Sequence, residues 1–198
     1  MTKIRILTAE DDPDYRLLIQ ATLSMQPDME LCALCANGSD ALEAARQCHP
    51  DIVLMDLNLD TLQLDGIGIA RSIRLCTDAK VIILTALEAP ETVVNACRRA
   101  FASGYVLKSQ AALLIPTIRA TAAGITPQAI LIYASLLQLL TPAEQTVFFK
   151  MMGLPANLRS ASKTIANQQT SILRKLDIDS KEDMMHLLRV YLDTSQKT

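Results

Sequence analysis

Asp51-Ile52-Val53-Leu54-Met55-Asp56-Leu57-Asn58 is the stretch on which the fold turns. Ile52 to Met55 is an unbroken apolar run between two acids, too short for a helix and without polar alternation. A strand that is apolar on both sides must be covered on both faces, which is how strands read in a parallel sheet lying between helices. Its carboxyl end carries Asp56.

Moving outward, strand-like runs cover Lys3 to Ala9 and Met29 to Ala36 before it, and Val81 to Leu84 and Gly104 to Leu107 after it. Between them lie segments with helical spacing. Asp14 to Met25 repeats Leu17, Leu18, Ala21 and Leu23. Ser39 to Cys48 places Leu42, Ala45 and Cys48 on one face, with Ser39 or Asp40 as its N-cap. Ile67 to Arg74, Pro90 to Ala100 and Ala111 to Ala123 complete the series. Five strands alternating with five helices predict an α/β N-terminal domain over residues 1–122, built on a five-stranded parallel sheet.

Gly124 and Pro127 punctuate a break. Residues 123–138 read as a linker, helical because Ile130, Leu131, Ile132 and Tyr133 are apolar; these could equally form a seam between copies. Beyond it the pattern is wholly helical: Ala129 to Leu139, Ala143 to Met152, Ser162 to Leu176 and Ser180 to Leu192. A small all-α domain is expected over residues 139–198. Thr141-Pro142-Ala143-Glu144 has a helix cap, a proline at the first helical position and the glutamate of a capping box. Asp179 or Ser180 should cap the last helix.

Half of the 198 residues are hydrophobic and a fifth are charged, so the chain should fold and not remain disordered. No apolar run is long enough for a membrane span, and the chain enters its first strand without a signal peptide, so a cytoplasmic protein is expected. The net charge of −2 is uneven. Residues 1–135 hold 11 basic against 15 acidic side chains, and residues 136–198 hold 8 against 6, a balance compatible with nucleic acid in the second part. Of the five cysteines, Cys32 and Cys35 form a C-x-x-C. With no second pair or neighbouring histidine to complete a zinc site, both read as small hydrophobes of a buried strand. His49 and His186 are far apart and suggest no catalytic dyad.

In parallel sheets the working groups gather at the carboxyl ends of the strands. The sequence puts Glu10, Asp11 and Asp12 after the first strand, Asp56 after the third, Thr85 after the fourth and Lys108 after the fifth. Crowded carboxylates repel unless a cation neutralises them, and oxygen-only ligands suit Mg²⁺. With Mg²⁺ and the Lys108 ammonium in place, one aspartate can accept a phosphoryl group as an aspartyl phosphate. The Thr85 hydroxyl can then hydrogen-bond that group.

The segments Ile6 to Pro13, Asp51 to Asn58, Ile82 to Ala86 and Gly104 to Ser109 resemble the receiver domain of two-component response regulators, a resemblance covering about residues 1–122. It implies the flavodoxin-like fold and phosphotransfer from a histidine kinase. It also implies Glu10 and Asp11 as the acidic metal pair, with Asp11 the direct ligand, and Asp56 as the phospho-acceptor. Asn58 would offer its backbone carbonyl to the metal, Thr85 and Tyr105 would be the switch pair, and Lys108 would bind the phosphate. On phosphorylation Thr85 moves toward the new charge and Tyr105 fills the space it leaves, a two-state packing change expected to control a homodimer. The chain departs from the family after the acceptor. Leu59 and Asp60 stand where Met-Pro is usual, and the loop Asp60 to Leu64 is longer.

Leu140 to Glu144, Lys163-Thr164-Ile165, Ile172 to Leu176 and Asp179-Ser180-Lys181 resemble the LuxR-type helix-turn-helix, the output domain of the NarL/FixJ class, over about residues 139–192. This implies that the helix Ser162 to Leu176 enters the major groove of DNA. Lys163, Thr164, Asn167 and Gln168 would then lie near base edges, and Arg174 and Lys175 would suit phosphates. Here too there is a departure. Only nine residues, Leu154 to Ser162 with Pro155 among them, remain for the helix that braces the groove helix. Ala161 replaces the usual serine cap, with Ser160 or Ser162 as substitutes, and Gln168 replaces a histidine.

The reading is a response regulator in which phosphorylation of Asp56 controls DNA binding and transcription. The alternative is a phosphorylation-controlled interaction module whose helical domain no longer binds DNA. A phosphatase-type hydrolase would need a second acid beside Asp56 as general acid, and Asn58 occupies that place.

Overall fold

Five parallel strands form one sheet in the order β2-β1-β3-β4-β5. They are β1 (Ile4–Ala9), β2 (Met29–Cys35), β3 (Ile52–Asp56), β4 (Lys80–Thr85) and β5 (Gly104–Leu107). The crossover helices are α1 (Pro13–Ser24), α2 (Gly38–Cys48), α3 (Gly66–Cys76) and α4 (Pro90–Arg99), and α5 (Leu114–Ala123) follows β5 through a 3-10 turn. The computed structural model describes residues 2–59, 66–156 and 162–191. The expected longer loop Asp60 to Leu64 lies outside the described residues.

Alternation along the central strands explains their apolar sequences. Leu7 and Ala9 of β1, Val53 and Met55 of β3, and Val81 and Ile83 of β4 pack on one face with Ala41, Ala45, Ile69, Ile73 and Ala96. Ile6, Ile52, Leu54, Ile82 and Leu84 pack on the other with Ile19, Leu23, Leu114 and Ile118. Each Val, Leu, Ile or Met side chain so removed from water contributes about 1.5–3 kcal/mol, so β3 is fixed in register by both faces at once.

Local chemistry sets the helix ends. Asp12 caps α1, its carboxylate accepting from the backbone N–H groups of Asp14 and Tyr15, and Pro13 opens the helix. The cap of α2 is Asn37, not Ser39 or Asp40: its Oδ1 accepts the Asp40 N–H at 2.9 Å. The helix therefore starts at Gly38, where an added Cβ would lie 2.5 Å from Ile69 Cγ1. Gly66 matters more for function. A Cβ there would lie 2.1 Å from the carbonyl oxygen of Asp56, so only glycine lets α3 begin against the end of β3.

The edge strand departs from the expected reading. Ile6 pairs with Leu31 but Leu7 pairs with Ala33, leaving Cys32 as the extra residue of a bulge. Cys35 is buried as expected, whereas Cys32 is half-exposed.

The chain divides into two compact units, Met1–Ile132 and Tyr133–Thr198, and α6 (Pro127–Leu137) runs across the division. The second unit holds α7 (Pro142–Met151), α8 (Ser162–Leu176) and α9 (Lys181–Leu188), with a 3-10 turn at Arg189–Tyr191. Its buried side chains include Val147, Phe148, Met151, Ile172, Leu176, Met184, Leu187 and Leu188. Thr141 and Glu144 form the expected capping box, and Ser180 caps α9. The last helix ends at Leu188, earlier than its apolar pattern suggested. Residues 154–156 are not helical, residues 157–161, with Ser160 and Ala161, lie outside the described residues, and Ser162 already belongs to α8. Among the described residues no single helix is long and apolar enough to cross a membrane.

Candidate functional site

The sheet brings the carboxyl ends of β1, β3 and β5 to one pocket. Carboxylate oxygens of Glu10, Asp11 and Asp56 all lie within 4.8 Å of one another. Glu10 and Asp56 are 0% and 1% exposed, and Asp11 is half-buried. Lys108 enters from the turn after β5, its Nζ 2.7 Å from Asp56 Oδ2 and 2.8 Å from the Glu10 carboxylate. The other Asp56 oxygen, Oδ1, accepts the backbone N–H of Asn58 at 3.2 Å. Asp12 contributes differently, because its carboxylate is used by the α1 cap.

Two residues not foreseen from the sequence hold this pocket together. Arg16 donates from Nη1 to the carbonyl oxygens of both Glu10 and Asp11 at 2.7 Å, fixing the acidic loop. The Tyr15 ring lies 4.7 Å from Lys108 Nζ, a cation–π contact. Both sit on the first turn of α1. The signal available was their spacing of four and five residues from Asp11, which places them over the loop only once the Asp12 cap is known.

Electrostatically the pocket is short of positive charge. Burial, reinforced by Asp56 and opposed by Lys108, raises the Glu10 carboxyl to about 7. Burial disfavours the Lys108 ammonium, yet its hydrogen bonds to Asp56 and Glu10 outweigh that and raise its pKa. Burial also raises the Tyr15 phenol. Three carboxylates against one ammonium, with oxygen donors only, fit a hard divalent cation.

Thr85 ends β4 fully buried, and its Oγ1 accepts the Leu87 N–H at 2.9 Å. Tyr105 on β5 is half-buried against the core, its backbone held by both ends of the Gln128 amide. Asn58 is exposed.

In the second unit, Lys163, Thr164, Asn167 and Arg174 are exposed along α8 and Gln168 is half-buried. Lys175 has a partner within the unit. Its Nζ lies 2.6 Å from Glu144 Oε2, and Ser171 donates to Glu144 Oε1 at 2.8 Å. Burial pushes the Glu144 carboxyl up, but Lys175, the Thr141 backbone and Ser171 outweigh it and hold the group at about 2. The capping glutamate therefore also ties α7 to α8, and the Lys175 ammonium is engaged inside the unit.

A parallel sheet of this strand order, with an acid cluster and a lysine converging at its carboxyl edge, defines a receiver-type α/β domain. Residues 6–119 match the response regulator receiver domain, and the chain belongs to that family. It is 35% identical over 123 residues to the transcriptional regulatory protein LiaR of Bacillus subtilis, a match covering 61% of this chain and 57% of LiaR. The chain thus spans little more than half the length of that relative. The response regulator protein VraR of Staphylococcus epidermidis is 28% identical over 196 residues, covering 90% of this chain and 92% of VraR. Among solved structures, the RcsB response regulator of Salmonella typhimurium shares the fold, with a TM-score of 0.58 at 19% identity over 97% of this chain and 98% of that one.

Proposed function

We propose that this response regulator takes a phosphoryl group on Asp56 from the phosphohistidine of a histidine kinase, and that the phosphorylated form binds DNA through α8. The observation that carries the first part is the position of Asp56: buried, with one oxygen 2.7 Å from Lys108 Nζ and its carboxylate grouped with those of Glu10 and Asp11. A carboxylate oxygen of Asp56 attacks phosphorus, the bond to the imidazole nitrogen breaks, and its electron pair leaves with the histidine. Lys108, already on Asp56, stabilises the charge carried by the phosphoryl oxygens. Mg²⁺ fits the donor set of Glu10, Asp11, Asp56 and the Asn58 backbone carbonyl, and when bound it neutralises charge on the transferring group. The buried Thr85 hydroxyl and half-buried Tyr105 then act as the switch pair, and phosphorylation favours a homodimer. A cytoplasmic location accompanies this role.

For the second part, the support is the polar exposed side of α8 together with relatives described as transcriptional regulators. Lys163, Thr164, Asn167 and Gln168 face base edges, and Arg174 takes a phosphate. Lys175, engaged by Glu144, braces the helix.

The test is treatment with a small acyl-phosphate donor and Mg²⁺, followed by intact-mass measurement, sizing and gel shift. The expected result is one added phosphoryl group, absent in Asp56→Asn, with a larger species and tighter DNA binding in the wild type. A phosphoryl group retained by Asp56→Asn overturns the assignment of the acceptor. No DNA binding at low salt in either state overturns the role of α8.

A further inference from the structure

We infer that Cys32 and Cys48 are a redox modification site, a thiol pair that closes to a reversible intramolecular disulfide when a low-molecular-weight disulfide is the oxidant. Their Sγ atoms lie 3.0 Å apart, only about 1 Å more than in a formed disulfide. Neither thiol is sealed in the core: both are half-buried. Cys35, the other cysteine of the C-x-x-C, is buried at 7% exposure and packs in the core cluster, so the sequence motif is not the pair that meets.

The placement follows from local structure. The bulge in β2 inserts Cys32 as an extra residue, and Cys48 is the last residue of α2. Arg5 lies against the pair, donating from Nε at 3.2 Å and from Nη2 at 2.8 Å to the Cys48 carbonyl oxygen. A fixed guanidinium beside a thiol favours the thiolate that attacks a disulfide. Burial, and then the neighbouring Cys48 thiol, outweigh Arg5 and push the Cys32 thiol up to about 12, so its thiolate is a minor species at neutral pH and the exchange is slow.

The exchange balances without a metal. One protein thiolate attacks a sulfur of the small disulfide, whose S–S bond breaks; one small thiolate leaves with the electron pair and takes a proton. The second protein thiolate attacks the mixed disulfide and expels the other small thiol. The two protein thiols are oxidised to one disulfide and the small disulfide is reduced to two thiols. The new bond staples edge strand β2 to the end of α2.

The experiment incubates the full chain with oxidised glutathione, unfolds it in an alkylating reagent and maps the peptides by mass spectrometry. The expected product is a monomer in which Cys32 and Cys48 escape alkylation and their two peptides are linked, lighter by two hydrogens than the pair of free peptides, a link that a reductant removes. Cys48→Ser loses this product and Cys35→Ser keeps it. The oxidised wild type should melt roughly 5–10 °C higher than the reduced form. A link to Cys35, a link between chains, or full alkylation of Cys32 and Cys48 under conditions that modify the exposed Cys76 would overturn the inference.

Discussion

The behaviour of the pocket rests on one ammonium facing two buried carboxylates. Lys108 is close to both Asp56 and Glu10, and Asp11 adds a third negative group nearby. Removing the lysine leaves buried charge uncompensated, which is far more costly than removing an exposed partner. Lys108→Met should therefore destabilise the chain by about 2–4 kcal/mol. Asp56→Asn should instead stabilise it by about 1–2 kcal/mol, because it relieves repulsion between like charges. Urea unfolding with and without millimolar Mg²⁺ checks both. Added Mg²⁺ should recover part of the Lys108→Met loss and narrow the Asp56→Asn gain. If Asp56→Asn is no more stable than the wild type without Mg²⁺, the pocket is not short of positive charge. At this scale the sequence was informative about the acids and the lysine, since each ends a strand. It was silent on Arg16 and Tyr15, whose roles depend on how α1 leaves its cap.

Between elements, the chief tie in the second unit runs through Glu144. Thr-Pro-x-Glu announces a capping box, and the structure has one. Nothing in the spacing says that the same carboxylate reaches Lys175 and Ser171 on another helix, because helical periodicity assigns faces and not partners. The Asn37 cap was missed for a similar reason: Ser39 and Asp40 are good caps by type, but the close approach of Gly38 to Ile69 starts the helix earlier. The bulge at Cys32 was hidden too, since an apolar edge strand reads alike with or without an extra residue. The Glu144 tie has a pH signature. Its carboxyl is lowered from 4.5 to about 2 in the folded chain, so its stabilisation is complete above about pH 4.5 and is lost as pH falls toward 2. Glu144→Gln should cost about 1–2 kcal/mol at pH 7, with the gap to wild type closing between pH 4.5 and 2. Chemical unfolding of both proteins across that range reads it directly. A gap that persists undiminished at pH 2.5 would mean that the ion pair is not its source.

For the molecule as a whole, the order of strand-end residues carried most of the fold. Acids after the first and third strands, threonine after the fourth and lysine after the fifth make chemical sense only if those ends share one edge of a sheet, and they do. The helical half was less legible, because its shortened segment before α8 offers little periodicity to read. That half supplies the sharpest test of the whole-molecule reading, in which phosphorylation in one unit acts on DNA bound by the other. Arg174 is exposed at the end of α8, and Lys175 beside it is bound to Glu144. If α8 docks on DNA, Arg174 releases a counterion on binding and Lys175 does not. Arg174→Ala should weaken binding at low salt and reduce the magnitude of the slope of log K against log[salt] by about 1 per bound copy. Lys175→Ala should leave that slope unchanged while lowering the unfolding midpoint of the chain. Titrating phosphorylated protein onto a promoter fragment at several salt concentrations separates the two. Equal slope changes in both variants would show that Lys175 leaves Glu144 to reach the DNA, and no change in either would take α8 off the phosphate backbone.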